Sequence, residues 1–213
     1  MTPLARTALS VSVATGLYGI SYGALAVAAG LSVVQAQLLS LLMFTGGSQF
    51  AFVAAIPGGG WAAVSAASLM GLRNAVYGAQ MNAELRPRGW RRLLDAHVTI
   101  DESVAVAMAQ PAGERRSRGF LLTGWGVFLC WNLFTLVGAL ATSALDPAAW
   151  GLDGAAVAAF VGLLWPRLKN REAWSIAALA ALAAVLVTPL APLGTPILVA
   201  AALAGLLGWR WSR

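Results

Sequence analysis

The sequence predicts an all-α protein, one polytopic transmembrane helix bundle of about seven segments that takes in residues 1–213 as a single membrane domain, and three observations carry this. Of the 213 residues, 59% are hydrophobic and 10% charged, with a mean hydropathy of +0.75, more apolar surface than a water-soluble domain of this size can hide. No charge falls between Arg6 and Arg73, between Arg118 and Asp146, or between Glu172 and Arg210; these gaps hold 66, 27 and 37 residues, where one spanning helix needs about 20. The remaining basic residues cluster at the edges of apolar runs: Arg86, Arg88, Arg91 and Arg92; Arg115, Arg116 and Arg118; Arg167, Lys169 and Arg171. That positive-inside pattern places all three clusters in the cytoplasm and accounts for the net charge of +6 without a nucleic-acid partner.

Taken in order, spans are expected near 7–29, 36–56, 61–82, 119–144, 154–166, 173–191 and 194–210. The first follows a basic residue, as a signal peptide would, but its apolar stretch continues to Ala29 without a distinct small-x-small cleavage site, so it reads as a membrane helix. Pro57-Gly58-Gly59-Gly60 ends the second span: proline lacks the amide proton and the glycines carry a large backbone entropy cost. Pro189, Pro192 and Pro196 around Gly194 mark the last turn. Trp61, Trp90, Trp150, Trp209 and Trp211 lie at expected span ends, where an amphipathic ring prefers the headgroup level. The single Cys130 excludes an internal disulfide and reads as a small apolar helix residue.

Residues 93–112 break the pattern. They are moderately apolar but carry Asp95, His97, Asp101 and Glu102, too polar for lipid, and are expected to form a re-entrant or interior-facing segment. Counting back from Arg210 and Arg213 with this segment not spanning puts the 191–194 turn and the Asp146–Asp153 loop outside, the basic clusters inside and the PGGG turn outside. The N-terminus then falls outside, against the bias of Arg6; a broken or re-entrant segment in the first half would reverse that placement.

Three groups of polar residues could carry chemistry. Arg73 lies deep in a span, where an arginine costs at least about 2.5–3.5 kcal/mol on insertion scales, so it must face the interior. It can clamp a substrate carboxylate, pair with Asp101 or Glu102, or snorkel from a helix end. The second group is Gly46-Gly47-Ser48-Gln49 in mid-span: the glycines invite a helix break that exposes backbone to a zwitterion, or else serve a close helix crossing. The third is Asp101-Glu102, about 100° apart on a helix, so that one faces a site as proton or ammonium acceptor while the other pairs with Arg73. His97, four residues before Asp101, would share its helical face. The chain contains no HExxH, no phosphate-binding glycine loop ending in Lys, no cysteine pair and only one histidine, so neither an enzyme nor a metal or other cofactor is expected.

The elements GISYGALAVAAGLS, FTGGSQFAF, GLRNAVYGAQMNAELRP, TIDES and WGLDGAAVAAFVGLLWPRL, in this order, cover nearly all of residues 15–210. Together they resemble the AzlC-type large subunit of the branched-chain amino acid exporters, the LIV-E or AzlCD family. Asn74 departs from the second ionisable residue usual in its element, and Gly154 from the usual aromatic. The resemblance implies a multi-pass permease of the bacterial inner (plasma) membrane that exports leucine, isoleucine, valine or close analogues. It also implies a small AzlD-type membrane subunit as partner, with self-association into a homo-oligomer as a further expectation. In that picture Arg73 holds the carboxylate, Asn74, Tyr77, Ser48 and Gln49 complete the polar end, Asp101 or Glu102 meets the ammonium or couples a proton, and Phe50, Phe52 and Leu72 receive the aliphatic tail. The competing readings are a channel or passive facilitator for small zwitterions, an exporter of another small hydrophobic substrate, and an intramembrane enzyme built on His97, Asp101 and Glu102.

Overall fold

A computed structural model describes residues 1–144, 161, 164–165, 168–191 and 195–211. Most of the expected 154–166 span, the Asp146–Asp153 loop with Trp150, and Gly154, Arg167, Pro192, Gly194 and Arg213 lie outside the described residues. Every described element is helical: α1 (Pro3–Ala28), α2 (Val33–Leu42), α3 (Gly46–Ala55), α4 (Gly60–Leu85), α5 (Arg91–His97), α6 (Asp101–Met108), α7 (Glu114–Ser143), α8 (Arg171–Val187) and α9 (Thr195–Trp211), with a short 3-10 turn at Ile56–Gly58.

Among the described residues two helices, α1 and α7, are long and apolar enough to cross a membrane. At 26 residues α1 is about 39 Å long. It starts at Pro3 behind the Thr2 cap and stops at Gly30, whose φ of 92° only glycine adopts readily, while the Gly30 and Leu31 amides donate to Val27 and Ala26. The two helices pack along their length because each presents glycines to the other. A Cβ at Gly16 would sit 2.5 Å from that of Cys130, one at Gly19 would sit 2.6 Å from the Trp131 carbonyl oxygen, and those at Gly23 and Gly138 would meet the carbonyls of Thr135 and Ile20. Between apolar helices in lipid the drive is such dense van der Waals contact. Ser12 faces Gly126, Gly16 faces Cys130 and Gly23 faces Ala139, so α1 and α7 run parallel.

Against α7 the depth of the other elements can be read. Glu84 near the end of α4 pairs with Arg116 at the start of α7, Met81 packs with Phe120, and Arg73 shares a cavity wall with Val127 and Trp131. Hence α4 runs antiparallel to α7, and Gly60 lies at the end where α1 and α7 finish. Since α2 leaves from that end after Ala28 and α3 delivers the chain back to it at Gly60, the two ten-residue helices do not cross. They form a re-entrant segment whose tip, residues 43–45, reaches mid-depth, where Phe44 packs on Phe128 with ring centroids 5.0 Å apart. The helix break expected in 36–56 is present, but the segment turns back instead of spanning, which corrects that span.

Residues 93–112 re-enter from the opposite end, as the sequence predicts. From Arg91 the chain rises to His97 beside Phe128 and Val98 against Gly124, then returns through α6 until Gln110 accepts from Arg116 at 3.3 Å. The tips meet where the rings of Phe44 and His97 stand 6.0 Å apart.

This arrangement also corrects the placement of the N-terminus. Because α1 is parallel to α7, with Leu4 near Gly119, Arg6 lies at the same end as Arg86–Arg92 and Arg115–Arg118. At the opposite end, residues 28–32 and 56–60 carry no charge. The C-terminal helices α8 and α9 pack on each other, and α8 has no buried residue among those described.

Candidate functional site

Between the two tips lies a cavity of about 580 Å³. Arg73, midway along α4, reaches into it, and its Nη1 contacts Asp101 Oδ2 at 2.5 Å, so the expected ion pair forms with Asp101. The two side chains remain 30% and 26% exposed toward the cavity, so the pair is reachable. Arg73 Nε is buried and has no hydrogen-bond partner among the described residues. Asn74, on the same wall, donates from Nδ2 to the Thr99 carbonyl at 3.3 Å.

Asp101 and Glu102 both line the cavity, which departs from the expectation that only one of them could. They occupy the first turn of α6, where Asp101 turns to α4 and Glu102 turns to α1, accepting from Thr15 Oγ1 at 3.5 Å. A helix N-terminus carries a partial positive charge, which these acids offset. The N-terminus of α3 also forms the cavity wall, through Gly46 and Gly47, and its first turn contains no acid. One side of the cavity therefore favours an anion, at Arg73 and the start of α3, and the other a cation, at Asp101 and Glu102. Phe44, Phe50, Met70, Ile100 and Val127 supply the apolar remainder.

The glycines fit this geometry closely. A Cβ on Gly47 would stand 2.7 Å from Arg73 Nη2, and one on Gly46 would stand 2.8 Å from the Trp131 ring. The break itself falls just before them, at residues 43–45. Gln49 holds it. Fully buried, it donates from Nε2 to the Met43 carbonyl at 2.7 Å, with the carbonyls of Ser40 and Leu39 at 3.4 and 3.5 Å, and accepts from Trp131 Nε1 at 2.9 Å. Leu39 and Ser40 belong to the last turn of α2 and Met43 to the break, and because the Leu39 and Met43 carbonyls also accept from the Met43 and Thr45 amides, Gln49 adds a side-chain tie across the break.

Of the residues expected to bind substrate, then, Arg73 and Asn74 line the cavity, together with Gly46, Gly47, Asp101 and Glu102, while Ser48, Gln49 and Tyr77 stand behind its wall. Ser48 is buried beside Thr45, and Tyr77 packs with the Met81 cluster. Phe50 lines the cavity, whereas Leu72 is exposed on the outer face of α4 and Phe52 packs against the core. His97 closes α5 and Asp101 opens α6, so they share no helical face, and the His97 ring packs on Phe44 and Phe128 instead. The sequence reading missed Thr15, Tyr18 and Trp131. Only Trp131 left a signal, as a mid-span tryptophan whose indole N–H needs a partner.

Comparison with known proteins agrees with this picture. The AzlC protein family matches residues 10–145, which hold both re-entrant segments and α1, α4 and α7 almost entire. An uncharacterized membrane protein of Archaeoglobus fulgidus is 33% identical over 194 residues, covering 89% of this chain and 85% of the relative. No solved structure matches the chain. By the extent of the family match and of this relative, the chain is a membrane protein that belongs to the AzlC protein family.

Proposed function

We propose that the protein is the transport subunit of a secondary exporter of branched-chain amino acids in the bacterial plasma membrane, its arginine-rich end in the cytoplasm. One observation carries the reading: a mid-depth cavity between two re-entrant segments holds a guanidinium paired with one of two neighbouring carboxylates among apolar walls. Broken helices that meet at a midplane site are a recurring construction of secondary transporters. A volume of about 580 Å³ falls within the roughly 300–1,000 Å³ typical of small-molecule sites. In this reading the substrate carboxylate takes a bidentate place on Arg73, the ammonium takes the Asp101 oxygen that Arg73 gives up, and the aliphatic tail lies on Phe44, Phe50 and Val127. Glu102, held by Thr15 away from the ion pair, carries the coupling proton. Family membership supports a small AzlD-type membrane subunit as partner; no nucleic acid takes part.

Proteoliposomes holding the protein with that subunit test the reading. An imposed proton gradient is expected to drive labelled leucine uphill, and an uncoupler to stop it. Leucine movement that only equilibrates and ignores the uncoupler would make the protein a passive pore, and no leucine movement at all would remove the substrate class.

A further inference from the structure

A second cavity, of about 390 Å³, lies under the α5–α6 tip at the arginine-rich end, and neither the ion pair nor the first cavity uses it. Its lining continues that of the first. Along one face of α4, Met70, Arg73 and Asn74 border the first cavity, and Gly78, Met81 and Asn82 border the second. These positions recur at the three- and four-residue spacing that keeps side chains on one side of a helix.

What separates the cavities is thin. Thr99 lines the second, its carbonyl accepts from Asn74, which lines the first, and its Oγ1 donates to the Asp95 carbonyl at 2.7 Å. The second cavity also repeats the charge character of the first: Arg92 and Asp95, one turn apart on α5, line it beside apolar Met81 and Leu85. From this continuity we propose that the second cavity is an antechamber that binds the same zwitterionic aliphatic amino acid before it reaches Arg73, its carboxylate at Arg92 and its ammonium at Asp95, with the Asn74–Thr99 contact as the barrier between the two stations. The inference rests on the proposed export of amino acids and adds where they enter.

The test uses the full chain with Cys130→Ser and a single new thiol at Ala96→Cys, which faces the second cavity. Labelling by a membrane-impermeant maleimide is followed in sealed vesicles of either orientation, with and without L-leucine. The thiol is expected to react only from the arginine-rich end, and leucine to slow it at least about fivefold. That protection is expected to persist when Arg73→Lys disables the first cavity and to disappear when Arg92→Gln and Asp95→Asn are combined. Leucine transport by the Ala96→Cys protein without any protection of the thiol would overturn the antechamber while leaving the exporter standing. Equal labelling from both ends would overturn it too, since the barrier would then be absent. A protein that neither transports leucine nor gains protection from it would remove both readings together.

Discussion

The two re-entrant segments reach the same depth from opposite ends, yet they are held there in different ways and bring opposite charge to the cavity. The tip of α2–α3 is tied by the Gln49 amide to the carbonyls of Leu39 and Ser40 in α2 and of Met43 at the break, and to Trp131 of α7. The tip of α5–α6 is tied within itself, where buried Ser103 accepts from the Ile100 amide and donates to the Val98 carbonyl at 2.8 Å. Besides packing on α7, its outward polar ties include the Arg73–Asp101 pair, the Asn74–Thr99 bond and the Glu102–Thr15 bond, each with at least one partner on the cavity wall. A ligand that competes for Arg73 therefore acts on a tie of the second tip and on none of the hydrogen bonds that hold the first. The first is a fixed wall that offers helix-end positive charge; the second carries carboxylates and is poised to respond.

The largest effect expected from breaking this asymmetry is at Arg73, where both tips converge. Arg73→Ala is expected to lower leucine counterflow at least about 100-fold, which corresponds to ~2.7 kcal/mol. Arg73→Lys is expected not to restore it, because an ammonium is a point charge and cannot reproduce a planar two-pronged clamp. Wild-type counterflow by the Lys variant would return Arg73 to a purely structural role. The next effect sharpens the contrast within the second tip. Glu102→Gln is expected to abolish proton-driven uphill export while labelled leucine still exchanges, since exchange requires binding without net proton movement. Asp101→Asn is expected to lower both exchange and the amount of folded protein, because it leaves the Arg73 charge without its partner, a loss of about 3–5 kcal/mol when such a pair is buried and less at this exposure. If the two variants behave alike, the division of labour between the acids fails.

The smallest effect on transport is expected from the fixed wall. Gln49→Leu leaves the Trp131 N–H without its partner and removes the amide donor from the Leu39, Ser40 and Met43 carbonyls, at about 1–3 kcal/mol for each buried polar group left unsatisfied. Its apparent melting temperature in detergent is expected to fall by several degrees, with the leucine affinity of the surviving folded protein within about threefold of wild type. A large loss of affinity without loss of stability would place Gln49 in direct contact with the substrate.

The membrane character, the broken segments and the inward position of Arg73 were legible in the sequence because each violates a cost. Long charge-free runs, adjacent glycines in mid-span and an arginine among apolar residues all demand an explanation that lipid and backbone chemistry supply. The re-entrance of 36–56 was not legible: two ten-residue apolar helices have the same hydropathy as one twenty-residue span, and only packing against α7 reveals that the chain turns back. That turn moved the N-terminus to the arginine-rich end, where Arg6 had pointed all along. Gln49 was legible as important but not in its job, since a buried amide that caps a helix and one that lines a pore look the same in a sequence. The sequence reading did not single out Gly16, Gly19 and Gly23, whose contact with α7 lies more than a hundred residues away in the chain.

The central claim is that Arg73, beside the start of α3, reads the carboxylate of an aliphatic amino acid. Competition against labelled L-leucine on the purified protein tests it most directly, with L-leucine and L-leucinol as competitors. Leucinol keeps the ammonium and the isobutyl tail but replaces the carboxylate with a hydroxymethyl group. The account predicts that leucinol competes at least about 100-fold more weakly than leucine on the wild-type protein, ~2.7 kcal/mol of discrimination, and that Arg73→Lys shrinks the difference to within about tenfold by weakening leucine alone. Equal competition by leucine and leucinol on the wild type would contradict it.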